Sequence, residues 1–204
     1  MIDTVKEGST MTYCIEILKE QIELNPDRYK SVLRIPKISN QNLTSDIKTI
    51  LMHVDMKKFK HLDFVKFMCS TYGIAQNTAV NICPTLERAN ILMKNIDGII
   101  KLTNIGRKYL QDNRSEYIGK GFIENHFGFL EMLLLLLQKN AKNRNSIFSD
   151  WVRMYEIEHG TRSYTTHKSQ FNNVFKYLLE LNYISKECNV NEEKIIRTFE
   201  IDVY

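Results

Sequence analysis

The chain has 204 residues, 43% of them hydrophobic and 25% charged, with a formal net charge of +4. That length suits one large or two small domains, and the composition excludes wholesale disorder. Four scattered cysteines, Cys14, Cys69, Cys83 and Cys188, form no Cys-x-x-Cys pair, and the five histidines are as dispersed. A zinc finger, a His-Glu-x-x-His helix and a disulfide framework are therefore not expected, and free thiols point to a reducing cytoplasm.

In chain order, a polar start through Thr10 is expected to fray, and Tyr13, Ile17, Leu18, Gln21 and Leu24 recur at helical spacing until Asn25-Pro26-Asp27 imposes a turn. Residues Val32 to Lys37 suit a short extended segment. Thr44, Ser45 and Asp46 signal a helix start, and Ile47, Ile50, Leu51 and Val54 form its apolar stripe. A second helix runs from His61 to Tyr72 and is closed by Gly73. From Gln76 to Asn90 a third helix places Ala79, Ile82, Cys83 and Leu86 on one face and Asn77, Asn81 and Arg88 on the other, with Pro84 expected to kink it or break it in two. Ile91 to Thr103 reads as strand, Asp97-Gly98 turn and strand, after which Thr103 caps a helix bearing Ile105, Tyr109 and Leu110.

Asp112 to Ser115 is the best linker. One long helix is then expected from Glu116, with Ile118, Phe122, Ile123, Phe127, Leu130, Leu133, Leu134 and Leu137 on a broad apolar face. Its run Met132 to Leu137 is far shorter than the roughly 20 residues a bilayer span needs, so no membrane association is expected. A basic loop, Lys139 to Asn145, precedes a helix with Trp151, Val152, Tyr155 and Ile157 that ends at His159-Gly160. The next helix is expected from Arg162 to Leu181. Tyr183 to Lys186, a turn at Asn189 to Glu192, and Lys194 to Ile201 are expected to make a second hairpin. His126 and Trp151 are expected in the core.

The stretch Ile99 to Leu110 carries Leu102-Thr103-x-x-Gly106, in which a short strand leads into a helix. It resembles the wing-to-helix ending of prokaryotic winged-helix proteins. Two successive sets of helix, helix, helix and hairpin make the chain similar to tandem winged-helix (winged helix-turn-helix) DNA-binding proteins. The fold class expected is mostly α with short β-hairpin wings: an N-terminal helical extension at 1–43, one winged-helix unit at 44–112 and a second at 116–204.

Winding Arg162 to Leu181 at about 100° per residue turns Phe171, Val174, Phe175 and Leu178 one way and Arg162, Thr166, Ser169, Asn173 and Lys176 the other, flanked by Thr165 and Asn172. No acidic residue interrupts that outer face before Glu180. Arg pairs with guanine, Asn with adenine, and Lys, Ser and Thr with phosphates or base edges, so this face suits a major groove. Lys142, Arg144, Arg153, Arg162, Lys168 and Lys176, against Asp150, Glu156 and Glu158, favour backbone phosphates nearby. In the first unit Asn77, Asn81 and Arg88 form a shorter polar face, with Lys94, Lys101 and Arg107 as phosphate contacts. The expected function is double-stranded DNA binding as a regulatory or recognition module, in transcription, replication initiation or restriction and defence, with two units on one duplex strengthening each other.

Two rivals compete. A winged-helix pair can serve as a protein-interaction scaffold, binding a protein partner or a second copy of the chain. A metal-dependent nuclease would need a strand bearing Glu-x-Lys and an upstream acid; Glu192-Glu193-Lys194 with Asp150 or Asp27 supplies the residues, but the triplet falls in the expected turn of the wing. The chain is accordingly not expected to be an enzyme, nor to carry a cofactor or metal.

Overall fold

The computed structural model describes residues 3–38 and 42–201; the parts of the expected extension and second unit at 1–2, 39–41 and 202–204 lie outside the described residues. The described chain is mostly helical with a single two-stranded antiparallel sheet. It divides into two compact units: a middle unit, Leu33–Phe122, and a split unit made of Met1–Val32 and Ile123–Ile201.

In the middle unit, α2 (Leu43–Met56) starts where the Asn42 side chain accepts from the Ser45 amide, and it buries Ile47, Ile50, Leu51 and Val54. Helix α3 (His61–Tyr72) ends at Gly73, whose φ of 64° supplies the left-handed turn. The expected third helix is two pieces, α4 (Gln76–Ala79) and α5 (Ile82–Arg88). Pro84 sits in the first turn of α5, where its missing N–H leaves no helical hydrogen bond unmade. Strands β1 (Leu92–Lys94) and β2 (Ile100–Leu102) pair with Leu92 opposite Leu102. Between them the Asn95 side chain accepts from the Asp97 and Ile99 amides, and Gly98 takes φ of 72°.

The hairpin has a third neighbour. Lys60, in the connection from α2 to α3, bridges Ile99, and the Ile100 amide donates to the Phe59 carbonyl at 2.8 Å. Thr103 then caps α6 (Asn104–Asp112) by accepting from Gly106 N, while its hydroxyl donates back to Asn90 and Ile91 carbonyls. Helix α7 (Ser115–Asn125) leads out of the unit. Its Gly121 lies so close to the chain that a Cβ there would come within 2.3 Å of the Ala89 carbonyl oxygen, so only glycine fits.

In the split unit α1 (Asp3–Leu24) begins well before Thr10, correcting the frayed start. Cys14, Ile17 and Leu18 are buried, whereas Tyr13 and Leu24 face outward, and α1 packs on α8 (Phe129–Gln138) and α11 (Glu192–Glu200). The long helix expected from Glu116 to Leu137 is broken between α7 and α8. Gly128 is the cause: φ is 99°, a Cβ would meet the Trp151 ring at 2.6 Å, and Trp151 Nε1 donates to its carbonyl. Three-residue backbone pairing holds the break open, as Tyr29 N donates to Asn125 O and Phe127 N to Tyr29 O.

All of Phe129 to Leu137 in α8 is buried, including Glu131. A carboxylate there needs a cation, and Arg28 supplies it at 2.6 Å with both side chains almost wholly shielded from solvent. Glu131 also accepts from the Gly128 amide, so one side chain serves the ion pair and the start of α8. His126 and Trp151 are both fully buried.

The expected second wing is not formed. Glu192–Glu200 is the helix α11, begun by Asn191, whose side chain accepts from Lys194 N, and only Ile184 and Val190 form a bridge. Ile195 and Thr198 turn inward three residues apart, a spacing that shares a helix face but would fall on opposite faces of a strand. Arg28→Met strands the Glu131 carboxylate and is expected to cost about 3–5 kcal/mol in chemical denaturation, whereas Arg28→Met with Glu131→Leu, which removes both charges, recovers part of that loss. Equal losses in the single and double variants would contradict a paired charge.

Candidate functional site

Helix α10 (Tyr164–Glu180) carries most of the residues singled out from the sequence, and its start is fixed by Ser163, whose side chain accepts from the Thr166 amide at 3.3 Å. Arg162 thus precedes the helix instead of opening it, because Ser163 is the stronger cap. Arg162, Thr165, Thr166, Lys168, Ser169 and Lys176 are exposed, while Phe171, Val174, Phe175 and Leu178 are buried as the periodicity requires. Asn173 departs from the expected outward face. Its side-chain amide donates to the Val32 carbonyl at 3.1 Å, and one turn earlier Gln170 accepts from the Val32 amide at 3.0 Å. These two side chains hold both backbone polar groups of one residue, Val32, which satisfies a buried backbone that has no sheet to join.

Beside the α10 start, the loop before α9 (Phe148–His159) is organised by Asn143, which accepts from Asn145 N at 2.8 Å and opens a 3-10 turn, Arg144–Ile147. Ile147 is buried beneath it, and Phe148 meets Phe171 and Tyr164 edge-on at 5.0 and 5.7 Å. The result is a cavity of about 260 Å³ lined by those three rings together with Arg144, Lys168, Asn145 and Asn172. Among the described residues no acidic side chain lines it. Arg144 also lies over the Phe175 ring at 5.3 Å and Lys168 over Tyr164 at 5.7 Å. The structure therefore gathers two of the expected phosphate contacts, Arg144 and Lys168, around aromatic faces. Lys142 stands apart, donating to Asn189 at 3.2 Å.

The acids near this surface are occupied elsewhere: Asp150 pairs with Lys139, Glu156 with His167 at 3.2 Å, and Glu158 with Arg28 at 3.5 Å. The Lys139 hydrogen bond holds the Asp150 carboxyl below its ordinary range. A second cavity of the split unit, about 560 Å³, is lined by Glu23, Asp27, Arg28, Glu158 and His159 among others. Its charges are mixed. Burial pushes the Glu158 carboxyl up and the His159 imidazole down, the latter aided by Lys30, Arg28 and Arg162.

In the middle unit Asn77 and Asn81 are exposed at the α4–α5 break, where the Asn81 amide donates to the Asn77 carbonyl at 2.8 Å. Arg88 does not share their open face; it is half-buried and engaged within the protein. Lys94 pairs with Glu87 at 3.0 Å, and Arg107 caps its own neighbourhood by donating to Leu102 O and Asn104 Oδ1. Lys101 remains exposed on β2. Sequence reasoning overlooked Lys57, Lys58 and Lys60, all exposed, although the run Lys57-Lys58-Phe59-Lys60 is plain. What hid their relevance is the Lys60–Ile99 bridge, which ties that run to the hairpin.

The nuclease triplet sits at the first turn of α11, not on a strand, and Lys194 is buried with its ammonium over the Tyr183 ring at 5.3 Å. Among the described residues no group of three or more His, Cys, Asp or Glu side chains is placed to hold a metal ion. Burial pushes the Cys14 thiol up to about 11 and raises Cys83 and Cys188 as well, which disfavours the thiolate a nucleophile needs. Among the described residues no helix is long and apolar enough to cross a membrane. Compared with protein-family models, curated proteins and solved structures, the chain finds no match.

Asn173→Ala removes one jaw of the Val32 clamp and is expected to cost about 1 kcal/mol of stability in chemical denaturation. Parent stability in the variant would return Asn173 to the outer face.

Proposed function

We propose that the chain binds double-stranded DNA as a recognition or regulatory module, with the middle unit acting as a winged helix. The observation that carries this reading is the Lys60–Ile99 bridge. With it the unit runs helix, a single bridged residue, helix, turn, helix pair, hairpin, an order like that in which a winged helix-turn-helix presents its third helix to a major groove and its hairpin to the backbone. Asn77 and Asn81 at the α4–α5 break offer amides suited to adenine edges. Lys57, Lys58, Lys60 and Lys101 supply phosphate contacts around the same hairpin.

The split unit contributes a second helix pair, α9 and α10, without a wing. Its exposed Thr165, Thr166, Ser169 and Lys176, with the preceding Arg162, are the groups it offers to a duplex.

A protein-interaction scaffold is the second reading, favoured by Ile96, fully exposed at the hairpin tip, and Met93, half-exposed on β1. Apolar side chains on a wing suit a protein surface better than a phosphate backbone. The two separate by salt. Fluorescence anisotropy with a labelled mixed-sequence duplex is expected to give binding whose log affinity falls linearly with log salt, and Lys57→Gln, Lys58→Gln and Lys60→Gln together are expected to reduce that slope by about 2–3. Asn77→Ala with Asn81→Ala should weaken preferred sites by about 1–3 kcal/mol and relax their selectivity. Failure to bind at low salt, or binding indifferent to salt, would overturn DNA recognition; loss of a protein partner on Ile96→Asp would instead support the scaffold.

A further inference from the structure

The cavity between the 3-10 turn and the start of α10 is built differently from a duplex-reading face. A groove-reading helix needs donors and acceptors raised on a convex surface, whereas here a concavity of about 260 Å³ is walled by the rings of Phe148, Tyr164 and Phe171. Drug-sized ligands occupy roughly 300–1,000 Å³, so this space suits one planar ring system with its edge groups and not a dinucleotide. Tyr164 is 65% exposed although it is a large aromatic at the first position of a helix, where a small polar residue would cost nothing. Among the described residues Arg144 and Lys168 hold no acidic partner, each lying instead over a ring, Phe175 and Tyr164, and the Asn145 and Asn172 side-chain amides make no hydrogen bond. The cavity therefore combines aromatic rings, amides able to meet the edge of a base, and two cations that lie over rings with no carboxylate beside them among the described residues.

We propose that this cavity takes one unpaired nucleotide of a DNA strand, its base stacked on Tyr164 and edged by Asn145 and Asn172, and its phosphate drawn to Arg144 and Lys168. Charge complementarity selects a polyanion, and stacking faces inside a concavity select a base that has left its duplex, since paired bases present no free face. A neutral aromatic ligand would give neither cation an anionic partner. The inference rests on the reading of the chain as a DNA-binding protein but not on duplex recognition by the middle unit. Strand ends, gaps and locally opened duplex all offer such a nucleotide.

The test uses the full chain and three fluorescein-labelled probes of one length: an oligo-dT strand, the same strand in ribo form, and a blunt duplex. The parent is expected to bind the deoxy strand, and Tyr164→Ala to weaken it roughly 5- to 100-fold, as loss of a stacking ring does, while Tyr164→Phe keeps affinity within about two-fold. Lys168→Gln should lower the salt slope for the strand by about 0.7. Blunt-duplex affinity is expected to move little in Tyr164→Ala. A strand carrying 5-iododeoxyuridine should photo-crosslink to Tyr164 or Phe148 in the unmodified chain, which tests the site without any substitution.

Parent-like strand binding in both Tyr164→Ala and Lys168→Gln, equal losses in the Phe and Ala variants, binding of the ribo strand alone, or crosslinks that map elsewhere would each overturn the proposal. If the duplex binds and the strand does not, this site fails while the duplex reading stands. If the strand binds and responds to Tyr164→Ala while the duplex does not bind, the duplex reading fails and this one survives. Absence of binding to every probe overturns both.

Discussion

Arg28 and Glu131 meet at 2.6 Å with almost no access to water, and the architecture of the split unit follows from that contact. Helix α8 is buried from Phe129 to Leu137, and a single carboxylate within it would be prohibitively costly without a partner. The partner arrives from the turn after α1, which must lie against the start of α8. Once there, Tyr29 exchanges backbone hydrogen bonds with Asn125 and Phe127, the helix breaks at Gly128, and the Trp151 indole fills the space a Cβ would need. Arg28 also lies over the Phe127 ring at 5.5 Å. A buried pair of this kind contributes little net stability, yet it penalises every arrangement that separates its members, so its effect is to select one packing. That packing fixes the Gln170 and Asn173 clamp on Val32 and, with it, which face of α10 stays open.

The middle unit is held by backbone pairing at its hairpin. Phe59 and Lys60 add a third edge to β2, Asn95 satisfies two amides of the turn, and Thr103 returns its hydroxyl to the Asn90 and Ile91 carbonyls. These bonds support a short, otherwise weak hairpin. The functional consequence is positional. Lys60, the last of three lysines in a connecting loop remote in sequence from the hairpin, is tied to it, and the exposed asparagines at the α4–α5 break lie in the same unit.

Much of this was legible in the sequence because periodicity and capping report local structure. The stripe of α2, the Gly73 stop, the division forced by Pro84 and the Asp97-Gly98 turn are all set within a few residues. What was not legible depends on distant partners. Nothing local to Gly128 announces a helix break, since glycine inside an apolar run is tolerated until Trp151 claims the space. The run Lys194 to Ile201 has strand-like apolar residues, and only the Asn191 cap and the inward turn of Ile195 and Thr198 reveal a helix. Asn173 was placed outward by winding alone, which counts faces but not the Val32 peptide that covers one of them. Arg144 and Lys168 were read as diffuse charge, whereas the aromatic cavity that groups them exists only once α9 and α10 are packed.

The central claim is that the middle unit meets duplex DNA through the α4–α5 break and the lysine-rimmed hairpin. Titration of the isotopically labelled chain with an unlabelled mixed-sequence duplex, followed by amide and Asn side-chain resonances, tests it most directly. The account predicts that Asn77, Asn81, Lys58, Lys60 and Lys101 shift together and return as salt is raised. Shifts confined to Met93 and Ile96, or a spectrum unchanged at low salt, would contradict it.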